Sequence, residues 1–219
     1  MHSTVQNLIK LENDVKLNLS ALNINNLPKI IAVSKTFKMD KILPLIEYGH
    51  VDFGENKIQE AIDKWTDVKN NNPNLKLHMI GSLQTNKVKY AVKLFDYIHS
   101  VDNEKLAKKI VDEQEKIGKK IKVFIQINIG SEDQKSGIKK DNLKIFINYC
   151  REINLDIIGL MCIPPANEEA SLFFKEMNML NTKFGFSELS MGMSQDYLKA
   201  SKNFSTYLRI GSSIFGSRL

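Results

Sequence analysis

Eight short, β-rich apolar runs alternate with longer amphipathic segments along this chain. They are KIIAVS (29–34), HVDF (50–53), LHMIG (77–81), DYIHS (96–100), IKVFIQINI (121–129), DIIGLM (156–161), ELSMG (188–192) and YLRIG (207–211). Several are apolar without a break, the pattern of strands covered on both faces. The segments between them repeat at helical spacing. In KIQEAIDKW (57–65), Ile58, Ala61, Ile62 and Trp65 form one stripe, and LPLIEYG (43–49) stops at a glycine. NKVKYAVKLF, EKLAKKIVDEQEKI, DNLKIFINYCREI and EEASLFFKEMNMLNTKF behave alike, and a further helix over roughly 3–20 precedes the first strand. Strands alternating with helices imply a parallel sheet with right-handed crossovers. The expectation is an α/β fold: a single (β/α)₈ TIM-type barrel over 1–219 with an extra N-terminal helix. An open doubly wound sheet is the competitor. A Rossmann reading is weaker, because no GxGxxG follows the first strand.

Composition excludes several classes. Apolar residues make up 42% and charged residues 26%, an ordinary globular balance. No apolar run reaches the ~18 residues that a membrane span needs. The N-terminus has no apolar core or small-residue cleavage site of a signal peptide. Two cysteines, Cys150 and Cys162, form no CxxC pair, and the four histidines show no metal-ligand spacing. A reducing cytoplasmic setting without a structural metal is the expectation. The net charge is +6, but the lysines lie beside Asp and Glu, as in KLAKKIVDEQEKIGKK. That pattern reads as a solvated basic surface and not a nucleic-acid site. No long exposed apolar segment is evident, so a monomer is expected.

In a parallel barrel, ligand groups sit at the carboxyl ends of the strands. The first strand ends in Ser34-Lys35-Thr36. Alone, Lys35 reads as a solvent-reaching side chain; its functional reading is an amine that condenses with an aldehyde. The second strand leads to Asn56, a pocket residue or simply the N-cap of the next helix. The third contains His78, read as a core histidine, and leads to Ser82 and Thr85, read as possible caps. The seventh leads into Met191-Gly192-Met193-Ser194 and the eighth into Arg209-Ile210-Gly211-Ser212. Both read as glycine and serine at a helix start, where free N–H groups suit an anion. A phosphate grip facing a lysine across the barrel mouth suits pyridoxal 5′-phosphate (PLP), which carries a phosphate at one end and an aldehyde at the other.

At these residues the chain resembles a known family. AVSKT (32–36), FGENKIQE (53–60), HMIGSLQTNK (78–87), SVDNEKLA (100–107), QINIGSEDQKSGI (126–138), GLMCIPP (159–165), LSMGMSQDY (189–197) and STYLRIGSSIFGSR (205–218) match, in order, the YggS/PROSC-type PLP homeostasis proteins. That family is similar to the barrel domain (the N-terminal domain) of alanine racemase. The resemblance implies PLP held as a Schiff base, a covalent aldimine, on Lys35. It implies a phosphate held by Ser194 and the backbone of Gly211 and Ser212. It places Arg209 at the pyridine nitrogen and Asn56 along the pocket. Ser82 stands where proline is frequent, and Ser212-Ser213 where threonine-alanine is common; neither change removes a ligand.

Two function classes follow. The first is a non-catalytic carrier that buffers intracellular PLP, part of vitamin B6 homeostasis, and passes it to apo PLP-dependent enzymes. The alternative is a PLP-dependent amino-acid racemase or related enzyme of low activity. Racemisation needs a base on each face of the cofactor and exclusion of water, and no second domain is expected beyond Gly211 to supply them. An arginine at the pyridine nitrogen keeps it unprotonated and makes the ring a poorer electron sink. No catalytic residue is therefore assigned. A third reading is a phosphosugar aldolase using Lys135 or Lys139, which lie in a polar loop and read as surface charges.

Overall fold

A computed structural model describes residues 1–132 and 134–217. Asp133 of the QINIGSEDQKSGI motif, and Arg218 and Leu219 at the end of the chain, lie outside the described residues. Each apolar run becomes a strand: β1 Lys29–Val33, β2 Asp52–Glu55, β3 Lys76–Met79, β4 Tyr97–Val101, β5 Lys122–Ile127, β6 Ile157–Cys162, β7 Glu188–Ser190 and β8 Tyr207–Ile210. They are parallel and close in chain order, with β8 returning to β1 in the register Lys29↔Tyr207 and Ile31↔Arg209. Closure rules out the open sheet.

The helices are α1 Ser3–Ser20, α2 Met39–Tyr48, α3 Ile58–Asn71, α4 Val88–Leu94, α5 Glu104–Ile117, α6 Leu143–Glu152, α7 Ala170–Lys183, α8 Tyr197–Lys202 and α9 Ser212–Phe215. Strand two starts later than HVDF suggests. His50 belongs to the turn that ends α2, in which Gly49 takes φ 100° and the His50 N–H donates to Leu45 O at 2.9 Å, and Val51 links that turn to the strand, its C=O accepting Lys76 N–H at 2.8 Å. α2 itself begins before LPLIEYG, at Met39, and α3 runs past Trp65 to Asn71.

The strands are mainly apolar because both faces are covered. Ile30 and Ala32 pack outward into the shell of helices, while Ile31 and Val33 point inward with Tyr97, Phe124, Met161 and Tyr207. The extra helix α1 has a structural task. α8 and α9 have six and four residues, too few to cover the last strands. α1 lays Val5, Leu8, Leu11, Val15 and Leu19 into that gap, against α2, α8 and α9. Asn7 Nδ2 donates to Ile214 O at 2.9 Å and Asn18 Nδ2 to Leu198 O at 3.0 Å, tying α1 to both short helices. Among the described residues no helix is long and apolar enough to cross a membrane.

The β6–β7 contact depends on one glycine. A Cβ on Gly159 would lie 1.7 Å from Glu188 O, a backbone atom with no rotamer to move away. Gly159→Ala should therefore lower stability by at least about 2 kcal/mol. Gly185→Ala, with φ 73° but nothing within 4 Å of its Cβ, should cost only the left-handed penalty of about 1–2 kcal/mol. Urea midpoints of the two variants check the difference.

Candidate functional site

Beyond β1 the chain makes a tight turn, Ser34 to Phe37, closed by a 3.1 Å bond from Phe37 N–H to Ser34 O. Half-buried Lys35 is its second residue. Thr36 follows at φ 69°. A β-branched residue in the left-handed region is strained, and such strain persists only where the surroundings impose it. Phe37 stacks on Phe215 of α9 with ring centroids 4.9 Å apart, so the turn bearing Lys35 is packed against the end of the chain.

Asn56 follows β2. It is not a helix cap: α3 has Lys57 at its N-cap and no side-chain cap bond. Its Oδ1 is buried and has no hydrogen-bond partner. Leaving such an acceptor unsatisfied costs about 1–3 kcal/mol, so this atom calls for a donor from outside the chain.

The loops after β7 and β8 come together, although not as two helix starts. After β7, Met193 N–H donates to Asp196 Oδ1 at 2.6 Å in a tight turn, and α8 begins only at Tyr197. Ser194 therefore sits in the turn that precedes α8, closed by the bonds of Asp196 N–H and Tyr197 N–H to Met193 O at 3.0 and 2.9 Å, and not at the first residue of the helix. Its Oγ accepts Ser213 N–H at 3.2 Å. Gly211 is the N-cap of α9 at φ −109°. With four residues, α9 offers local N–H groups and little helix dipole. A Cβ on Gly211 would meet only ordinary contacts with Val33 at 3.6 Å, so the fold does not require a glycine there. Gly211, Ser212 and Ser194 are thus gathered as expected. Their position relative to Lys35 differs from the expectation: β8 is paired with β1, so the two groups are neighbours across the closing seam and do not face each other over the mouth.

Arg209 lies below this loop, 4% exposed. Its Nη2 donates to Cys162 O at 2.8 Å and its Nη1 to Ser190 Oγ at 2.7 Å. From there a chain of contacts crosses the barrel interior: Ser190 Oγ to His99 Nδ1 at 2.8 Å, His99 Nε2 to His78 Nδ1 at 3.0 Å, and His78 Nε2 to Asp52 Oδ1 at 2.9 Å. Both histidines are fully buried. Burial lowers the pKa of each; for His99, the charges of His78 and Arg209 add to it and take the pKa well below the ordinary value. Burial works against the Asp52 carboxylate and is the largest single influence on it, but the hydrogen bond from His78 and the charges of His78, His50 and Lys29 together outweigh it and hold its pKa below the ordinary value. With both imidazoles neutral, one direction satisfies every link. Arg209 donates to Ser190, Ser190 to His99, His99 to His78, and His78 to Asp52. Sequence reasoning took His78 as a core histidine, which it is, and did not single out Asp52, His99 or Ser190. The available signal was the placement of these polar residues on inward-facing positions of otherwise apolar strands.

Lys135, the alternative reactive lysine, pairs with Glu132 at 2.5 Å within the loop after β5, and Lys139 of the same loop is exposed. Among the described residues no group of three or more His, Cys, Asp or Glu side chains is placed to hold a metal.

Residues 12–219 match the family model described as alanine racemase, N-terminal domain. A pyridoxal phosphate homeostasis protein of Aquifex aeolicus is 35% identical over 203 residues, covering 88% of each chain. Its counterpart in Escherichia coli K12 is 32% identical over 231 residues, covering 100% of this chain and 98% of that one. The chain belongs to the pyridoxal phosphate homeostasis protein family. Among solved structures, PipY of Synechococcus elongatus PCC7942 with PLP bound is 30% identical, with a TM-score of 0.81 over 92% of this chain and 100% of that one. In this homeostasis-family barrel the motifs that carry the resemblance meet at one rim: AVSKT, FGENKIQE, LSMGMSQDY and the described part of the last motif, STYLRIGSSIFGS, follow their strands to the mouth.

The buried histidines have a consequence for pH. Unfolded, each titrates near about 6.5; folded, both pKa values are lower. Below about pH 6.5 the unfolded chain binds protons that the folded chain does not, so stability falls as the pH drops through that value. The urea midpoint should decline between pH 7.5 and 5.5, and the decline should be shallower in His99→Gln, which removes one of the three histidines whose pKa the fold lowers, His50 being the third. Equal slopes would contradict the account.

Proposed function

We propose that this protein holds PLP at the β8–β1 seam and serves intracellular PLP homeostasis as a buffer and donor of the cofactor. One observation carries the reading. The seam sets the turn bearing Lys35 beside Gly211–Ser213, with Arg209 buried beneath. PLP carries its aldehyde and its phosphate arm on adjacent ring carbons, and its ring nitrogen opposite the aldehyde-bearing carbon. Neighbouring groups on neighbouring strands, with a guanidinium deeper in, fit that arrangement.

In this reading Lys35 supplies the amine. Ser194 Oγ and the N–H groups of Gly211 and Ser212 hold the phosphate. Asn56, with its unpartnered Oδ1, lines the pocket. When bound, PLP supplies an electrophilic aldehyde and, in enzymes, an electron sink. Arg209 restrains the second property. It is held as a donor by Ser190 and Cys162 O, and a cation at the ring nitrogen disfavours protonation there. The names of the relatives and the PLP bound in PipY support the same reading.

Borohydride reduction of protein loaded with PLP should fix a pyridoxyl group on the peptide containing Lys35, and Lys35→Ala should lose both the label and the absorbance; a label found only on another lysine would sink the assignment. Gly211→Val should weaken PLP about ten- to hundred-fold and pyridoxal much less, since pyridoxal lacks the phosphate. Equal losses for both ligands would show that the loop does not read phosphate. As a carrier, the loaded protein should exchange the α-proton of L-alanine in deuterated water no faster than free PLP, and it should restore activity to apo PLP enzymes. Exchange at enzymatic rates that disappears in Lys35→Ala would favour the racemase alternative.

A further inference from the structure

A buried charged cluster lies behind the turn that bears Lys35, and the proposed cofactor site makes no use of it. Glu55, the last residue of β2, is fully buried. Its Oε1 accepts from Ser34 Oγ at 2.7 Å, Lys64 Nζ at 2.9 Å and Trp65 Nε1 at 3.0 Å. Lys64 Nζ also donates to Glu60 Oε1 and to Ser34 O, each at 2.9 Å. Glu60 Oε1 in turn accepts Thr36 N–H at 2.5 Å.

The two backbone ties have a specific location. Ser34 C=O belongs to the peptide unit before Lys35 Cα, and Thr36 N–H to the unit after it. Both peptide planes that meet at Lys35 are therefore held by one cluster, and between them they set its φ and ψ. The tie to Thr36 N–H also fixes the first of the two peptide planes that meet at the left-handed Thr36, φ 69°. A barrel does not need such a cluster for stability, because apolar residues of similar volume would fill the space without burying charge. What the cluster adds is a fixed backbone frame for one side chain.

We propose that Glu55, Glu60 and Lys64 are positioning residues that aim the amine of Lys35. The inference rests on the function proposed above. In the step concerned, Lys35 Nζ as the neutral amine adds to the aldehyde carbon, a C=N bond replaces the C=O bond, and the carbonyl oxygen leaves as water with the two protons of the amine. Nothing is oxidised or reduced. The step depends on the angle of approach, whereas contacts to the ring and the phosphate do not.

That difference gives the test. Pyridoxine 5′-phosphate has the ring and phosphate but no aldehyde. Glu60→Ala and Lys64→Met should each weaken PLP about ten-fold or more, while pyridoxine 5′-phosphate changes less than about two-fold. Glu60→Gln, which keeps an acceptor oxygen for Thr36, should recover most of the PLP affinity. Equal losses for the two ligands, or no loss for PLP in Glu60→Ala, would overturn the positioning role. Glu60 is the more accessible member of the cluster, so its variants keep the test valid if Lys64→Met does not fold. Borohydride labelling of the unsubstituted protein separates the two ideas. If Lys35 is labelled and the variants behave like the parent, only the positioning role fails. If Lys35 is never labelled, the function reading fails and takes this inference with it.

Discussion

When β8 pairs with β1, the last strand comes to lie beside the first, and every later feature of the site follows from that pairing. A parallel sheet left open has two edges with unpaired N–H and C=O groups; closure removes them. It also sets the β1 turn against α9, where Phe37 stacks on Phe215, and brings Val33 within contact of Gly211. The short α8 and α9 leave the outer side of the seam thin, and α1 covers it. The extra N-terminal helix is thus part of how the site is built.

Inside the barrel a second constraint operates. Space there is filled by apolar side chains and by one line of polar ones, Arg209, Ser190, His99, His78 and Asp52. Such a line is tolerable only if each member is satisfied, since an unpaired polar group at that depth is costly. Neutral imidazoles meet the condition in one orientation, with a cation at one end and a carboxylate at the other. The arrangement holds Arg209 as a donor. It separates the two charges by groups that stay neutral at ordinary pH, because burial has moved their titration downward.

Much of this was legible in the sequence, for reasons that differ between residues. The eight runs were visible because strands covered on both faces are apolar at most positions. Lys35 and Gly211 stood out because a parallel barrel presents the ends of its strands, whereas Arg209 entered through the family resemblance. Ser194 was read at a helix start and lies in the turn before α8, which the bonds to Met193 O close. Strand two slipped because the residues that link the α2 turn to it include an apolar one, Val51, that is 37% exposed. Asn56 stayed ambiguous until the helix after it proved to have no side-chain cap. The line of polar residues and the cluster around Glu55 were not legible. Period and propensity describe one segment at a time, and apart from the Glu60–Lys64 pair within α3 these networks join side chains 9 to 91 positions apart.

The seam also sets when in folding the site can exist. Val33 and Gly211 are neighbours in space and lie near opposite ends of the chain. No sub-barrel made of the first several β-α units contains both halves of the site, whatever its own stability. Contacts of such long sequence separation form late, after the intervening loop entropy has been met. A chain emerging from synthesis therefore has no place for the proposed ligand until its final strand docks. A ligand held there binds only the finished barrel, and so stabilises it by mass action over every partly folded form.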